Sequence, residues 1–262
     1  MIAYKKYETA PSAKWVILVH GVGGSSSIWF KQVREFRQHF NLLLVDLRGH
    51  GRSQNAIKEC LENQYTFNEV AQDVLEVLDH LKIEKGHFIG ISLGTIVIRT
   101  IAETAPERVE SMVMGGAVTR MNIRSTFLMW VADRVKKIVP FVWLYSMYAF
   151  ILMPRKRNKE SRSLFIRESK KLARKEILRW FSLTAEVNPL LRYFSERELP
   201  IPTLYIMGEE DYMFLPQVKH LIRQQKHAML KVLNACGHVV NVEKPELFNE
   251  LTVSFIKNPR LA

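Results

Sequence analysis

Short apolar runs separated by helix-patterned stretches are the feature that most limits how this chain can fold. The runs are "WVILVHG" (15–21), "NLLLVDLRGHG" (41–51), "HFIGIS" (87–92), "VESMVMGGAV" (109–118), "PTLYIMG" (202–208) and "MLKVLN" (229–234). They are rich in Val, Ile and Leu, and most end at glycine or a turn. Their apolar residues follow one another instead of alternating with polar ones, so each strand is expected to be buried on both faces, as in a parallel sheet covered on both sides. Helices are expected between them, over 27–40, 66–81, 95–103, 217–225 and 245–255. In the second of these, Val70, Val74, Val77, Leu78 and Leu81 fall on one face. Pro245 suits the first turn of the last. The predicted fold class is α/β: a mostly parallel central sheet with helices on both faces. A chain of 262 residues with 47% hydrophobic content can build one large domain with an insertion.

The segment from 119 to 194 breaks the alternation. It has no strand pattern, only amphipathic and basic helical stretches. It reads as an inserted all-helical cap (119–194) over the strand ends of a core formed by 1–118 and 195–262. The charge is as uneven as the pattern. The chain has 38 Lys and Arg against 26 Asp and Glu, and residues 120–180 hold 16 of the first and 4 of the second, leaving 22 of each elsewhere. The whole surplus of 12 therefore sits in one segment. Such a segment is a solvated helix face, a contact for an anionic membrane, or a contact for an anionic substrate or carrier. There is no reading helix or RNA-binding motif, so nucleic acid is set aside.

The opening "MIAYKKYETAPSAK" lacks the apolar core of a signal peptide. The longest uncharged apolar run, "IVPFVWLYSMYAFILM" (138–153), contains Pro140 and falls short of a membrane span. Cys60 and Cys236 fit neither a disulfide framework nor zinc spacing. A cytoplasmic location is expected, with peripheral membrane contact through the basic cap as its extension.

The chemistry starts at "GISLG" (90–94). A strand, then Gly-x-Ser-x-Gly, then a helix places Ser92 on a sharp turn at a helix N-terminus, where backbone N–H groups favour developing negative charge. A serine nucleophile needs a base, and the base needs an orienting acid. Of eight histidines, His238 fits best, because it follows "MLKVLN" in a loop before the last helix. The acid should follow another strand, and "GEED" (208–211) offers Asp211, with Glu209 and Glu210 as alternatives. The shorter Asp211 suits a fixed bond to imidazole. "HGVGG" (20–24) follows a strand and matches neither phosphate-loop pattern. The N–H of Val22 there, with that of Leu93, is the expected oxyanion hole.

Together these segments resemble the α/β-hydrolase superfamily: "HGVGG" (20–24), "DLRGHGRS" (46–53), "GISLG" (90–94), "GEED" (208–211) and "GHVVNVEKP" (237–245). The order Ser, acid, His is that of this superfamily. The resemblance implies a Ser92–Asp211–His238 triad and an insertion after the sixth strand that acts as a lid or cap. It implies mainly structural roles for Asp46, Arg48 and His50. Pro216 follows Asp211 one residue later than the family's usual spacing. Ser92 argues against the aspartate-nucleophile chemistry of haloalkane dehalogenases. No cofactor and no metal site are expected.

The cap is rich in aromatic residues, and Trp130 and Trp143 are expected candidates for substrate contact. The expected activity is hydrolysis of a carboxylic ester, or thioester, with a hydrophobic acyl or alcohol group. The expected partner is a small hydrophobic ester-type substrate. The alternatives are a ligand-binding or signalling protein on the same scaffold, and a carbon–carbon bond hydrolase using the same residues.

Overall fold

The structure is a computed structural model that describes residues 1–54, 65–121, 127, 128, 130, 131, 134 and 139–259. Seven strands form one sheet: β1 (Tyr4–Tyr7), β2 (Trp15–Val19), β3 (Asn41–Val45), β4 (Gly86–Ile91), β5 (Val109–Gly115), β6 (Thr203–Gly208) and β7 (Ala228–Leu233). Their spatial order is β1-β3-β2-β4-β5-β6-β7. All neighbours are parallel except β1, which runs antiparallel to β3. β3, β4 and β6 are buried throughout, as their unbroken apolar runs predict. The strand β1 was not anticipated: "YKKY" is short, and its two lysines face solvent at the sheet edge.

The described helices are α1 (Val33–Phe36), α2 (Phe67–His80), α3 (Leu93–Thr104), α4 (Phe141–Leu152), α5 (Lys159–Ser169), α6 (Arg174–Ser182), α7 (Thr184–Glu196), α8 (Leu215–Ile222), α9 (Val240–Glu243) and α10 (Pro245–Lys257). α2 opens with a reciprocal capping box between Thr66 and Glu69 and buries Val70, Val74, Val77 and Leu78. The single helix expected over 27–40 is instead a 3-10 turn (Ser26–Trp29) followed by the short α1. Ser25 caps the 3-10 turn, accepting from Ser27 N–H (3.3 Å), and Ser26 N–H donates to Asp46 Oδ1 (2.6 Å).

In chain order, β2 to β3 steps one way across the sheet and β3 to β4 returns past β2. The loops after β2 and β4 therefore meet at one end of the sheet, the switch point where α/β proteins place ligands. Helices α4–α7 lie between β5 and β6, so the helical segment follows the fifth strand of this chain rather than a sixth. They dock on the sheet end through polar bonds. Trp180 Nε1–H donates to Arg48 O (3.0 Å), and Ser25 Oγ–H donates to Glu168 Oε2 (2.9 Å). Tyr65 O–H donates to Glu176.

Beneath these contacts the loops after β2 and β3 are tied together by imidazoles. His20 Nε2 accepts from Leu47 N–H (3.0 Å) while its Nδ1–H donates to Gly21 O (2.7 Å). His50 Nε2 accepts from Gly23 N–H (2.9 Å) while its Nδ1–H donates to Arg48 O (3.0 Å). Each ring accepts on one side and donates on the other, so each must be neutral. Asp46 accepts from Ser26 N–H (2.6 Å) and Arg52 N–H (3.1 Å), and Arg48 grips Asp73 through two bonds (2.6 and 2.9 Å).

Burial pushes His50 down to about 3 and His87 to about 4, and lowers His20 as well. In the unfolded chain these histidines take up protons near pH 6.5, so between that value and their folded values the unfolded state binds more protons. Stability is therefore expected to fall as pH drops below about 6.5, by up to about 1.4 kcal/mol per pH unit for each histidine that stays neutral. Urea unfolding at about pH 7 and about pH 5 measures this. A folded state no weaker at the lower pH would mean that these rings are charged in place.

Candidate active site

β4 runs directly into Ser92, whose backbone (φ 54°, ψ −121°) turns sharply into α3. A non-glycine residue held at such a φ costs roughly 1–3 kcal/mol and persists only where its surroundings hold it. Ser92 N–H donates to Gly115 O (3.0 Å), and Ser92 O accepts from Thr95 N–H (2.9 Å) and Thr95 Oγ1–H (2.6 Å). The strained residue is thus the serine itself. The glycines of "GISLG" serve close approach. A Cβ on Gly94 would lie 2.7 Å from His20 O, and one on Gly90 would lie 2.7 Å from Gly94 C.

Two loops bring the partners. Asp211 follows β6, His238 lies between β7 and α9, and both are buried. His238 Nδ1–H donates to Asp211 Oδ2 (2.7 Å), and Ser92 Oγ–H lies 2.9 Å from His238 Nε2. Asp211 Oδ1 accepts from Phe214 N–H (3.2 Å), which fixes the carboxylate, and the Phe214 ring packs 5.3 Å from the imidazole. The alternative acids are engaged elsewhere. Glu209 accepts from Ala235 N–H (3.1 Å), and Glu210 lies 3.4 Å from Arg157. This line of three groups can take a proton from the Ser92 hydroxyl and hold the resulting imidazolium.

Leu93 opens α3, so its N–H has no partner within the helix. Among the described residues, the Val22 N–H also donates to no protein acceptor. Both residues line one cavity with Ser92. The peptides on either side of Val22 are held. Gly21 O accepts from Gly24 N–H (3.0 Å) and from His20 Nδ1–H (2.7 Å). In the next peptide, Val22 O accepts from the Tyr145 hydroxyl on α4, and Gly23 N–H donates to His50 (2.9 Å). The sequence pointed to the loop but not to Tyr145, which stood there as one aromatic among several. Its role depends on a contact more than a hundred residues away.

Above Ser92 lies a cavity of about 170 Å³. Its walls come mainly from α4–α7, with Leu144, Tyr148, Phe165, Ile177, Trp180 and Leu183 facing inward. Among the described residues, no charged side chain lines it. A second space of about 30 Å³ also reaches Ser92, with His238, Ser161 and Glu168 on its walls. The structure does not bring Trp130 or Trp143 to either space. Trp143 is 74% exposed and Trp130 54% exposed. On α4 the inward face carries Leu144, Tyr145 and Tyr148, and Trp143 projects from the other side. Among the described residues no cluster of metal-ligating side chains occurs.

A relative from Stutzerimonas stutzeri, named for a proposed carbamate hydrolase activity (RutD), is 28% identical over 260 residues, covering 94% of this chain and 92% of its own. The 3-oxoadipate enol-lactonase 2 of Acinetobacter baylyi is 26% identical, covering 92% of this chain and 88% of its own. The crystal structure of a hydrolase from Pseudomonas aeruginosa superposes with a TM-score of 0.80 at 26% identity, covering 97% of this chain and 93% of that one. The profile of the alpha/beta hydrolase fold matches residues 14–245. With that match over most of its length, the chain belongs to the alpha/beta hydrolase family and is an enzyme of that family.

Proposed function

We propose that this enzyme hydrolyses a carboxylic ester, or the related thioester, whose acyl or alcohol part is hydrophobic. The observation that carries this reading is the Asp211–His238–Ser92 line at the floor of a cavity walled by uncharged side chains. His238 Nε2 takes the Ser92 proton as Oγ attacks the carbonyl carbon. Asp211 keeps the proton on Nδ1 and offsets the charge that develops on the ring. The Val22 and Leu93 N–H groups receive the oxyanion, as preorganised donors that need no rearrangement when charge appears. Collapse of the tetrahedral intermediate passes the His238 proton to the leaving oxygen or sulfur and leaves an acyl-Ser92. The smaller space beside His238 has room for water. A water there gives its proton to His238, attacks the acyl carbon and releases the acid. The names of the enol-lactonase and carbamate hydrolase relatives agree with acyl-transfer chemistry of this kind.

Hydrolysis of p-nitrophenyl esters from acetate to palmitate tests the reading. Ser92→Ala is expected to lower kcat by about a thousandfold or more, with folding intact by circular dichroism. On the wild type, kcat/KM is expected to rise by up to about fourfold per methylene until the cavity is filled. Turnover by the wild type that Ser92→Ala leaves unchanged would sink the proposal.

The held Val22–Gly23 peptide yields a second expectation. Removing the Tyr145 hydroxyl frees the Val22 carbonyl and loosens the donor aimed at the oxyanion, while its ring stays in the cavity wall. Tyr145→Phe is therefore expected to reduce kcat by about tenfold and alter KM by less than about twofold. A change confined to KM would make Tyr145 a substrate contact instead.

A further inference from the structure

Helix α4, "FVWLYSMYAFIL", has almost no polar residue on any side. A helix of that kind is ordinarily enclosed by protein or lipid. Here only one side is enclosed: Leu144, Tyr145, Ala149 and Leu152 are buried. Trp143, Met147 and Phe150 stand at i, i+4 and i+7 on the other side, 74%, 42% and 54% exposed. Nearby in sequence, the exposed rings of Phe127 and Trp130 stack 6.1 Å apart. This outer face meets the substrate cavity at its rim, because Met147 is exposed and also lines the cavity, and Leu128 lines it beside exposed Phe127.

Basic groups accompany the apolar stripe. The Arg162 guanidinium lies 4.2 Å from the Phe150 ring centre, and that of Arg134 5.2 Å from the Trp130 ring. Arg155, Lys156, Arg157, Arg167, Lys170 and Lys171 are exposed on the segments that follow α4. Two of the four acidic residues in 120–180, Glu168 and Glu176, are buried, Glu168 pairing with Lys171 (2.7 Å) and Glu176 with Arg179 (2.9 Å). Aromatic rings with adjoining guanidinium groups suit the boundary of a bilayer, with rings among the upper acyl chains and cations at the phosphates. A second copy of this chain would set like charge against like. Among the described residues no helix is long and apolar enough to cross a membrane, so the contact is peripheral.

We propose that the outer face of α4, with Trp143, Met147, Phe150 and the basic groups around them, docks on an anionic phospholipid bilayer and turns the cavity rim toward the lipid. This goes beyond the ester-hydrolase reading and needs no turnover, so the two fail separately. The test is co-sedimentation with phosphatidylcholine vesicles with and without roughly 30 mol% phosphatidylglycerol. Wild type and Ser92→Ala are expected to bind the anionic vesicles equally, at least about tenfold better than neutral ones, and to be released as salt rises from about 50 to about 500 mM. Vesicles with brominated acyl chains are expected to quench tryptophan fluorescence. The Trp143→Ser/Phe150→Ser double variant, with thermal unfolding as its check on folding, is expected to lose about fivefold or more in binding and most of the quenching. Failure of the wild type to sediment with anionic vesicles at low salt overturns the proposal. So does binding that the double variant retains in full. Concentration-dependent dimerisation abolished by the double variant, without vesicle binding, would assign the face to a second copy.

Discussion

The first turn of α3 lies against the end of β2, and Gly94 is too close to the Val19 and His20 carbonyls to carry a side chain. That contact is the constraint from which the site follows. It places the N-terminus of α3 beside the loop after β2, so Leu93 and Val22 line one cavity with Ser92. It also forces the chain to turn within a single residue. Ser92 carries the positive φ of that turn, and its carbonyl and N–H are tied on both sides so that the strain is held.

The helical segment does more than roof the cavity. Its Tyr145 hydroxyl and the buried His50 grip the two ends of one peptide in the loop after β2, while Trp180 and Glu168 anchor the same helices to neighbouring loops. These polar contacts lie at the seam between the helices and the sheet end. The cavity they enclose is almost entirely apolar. The division has a physical basis: a buried polar group must be bonded to avoid a large desolvation cost, so it is stable at a seam where loop carbonyls and N–H groups wait for partners. His20 and His50 follow the same rule, since each of their ring nitrogens already has its backbone partner.

Charge is kept away from this apolar space. Among the described residues of 120–180, Arg155, Lys156, Arg157, Arg167, Lys170 and Lys171 are exposed to water, and the buried acids have partners: Glu168 with Lys171 (2.7 Å) and Glu176 with Arg179 (2.9 Å). One segment thus presents uncharged walls to the serine and a cationic, aromatic surface to the outside.

Much of this was legible in residue order. Apolar runs bounded by turns marked six of the seven strands, and their lack of alternation announced the parallel sheet. The strand–"GISLG"–helix context and the turns after two later strands singled out Ser92, Asp211 and His238, because such chemistry depends on short local motifs at strand ends. The strand "YKKY" escaped notice because at a sheet edge pairing, not hydrophobicity, defines it. The helix expected over 27–40 is a 3-10 turn followed by the short α1 instead. The sequence by itself determined where six of the strands and the turns at their ends lie along the chain, and the location of the charge. Only the tertiary structure decided which side of α4 faces the serine, putting Tyr145 on the loop after β2 and Trp143 in the open. The reason is that periodicity orients a helix only through contrast between its faces, and "FVWLYSMYAFIL" offers almost none.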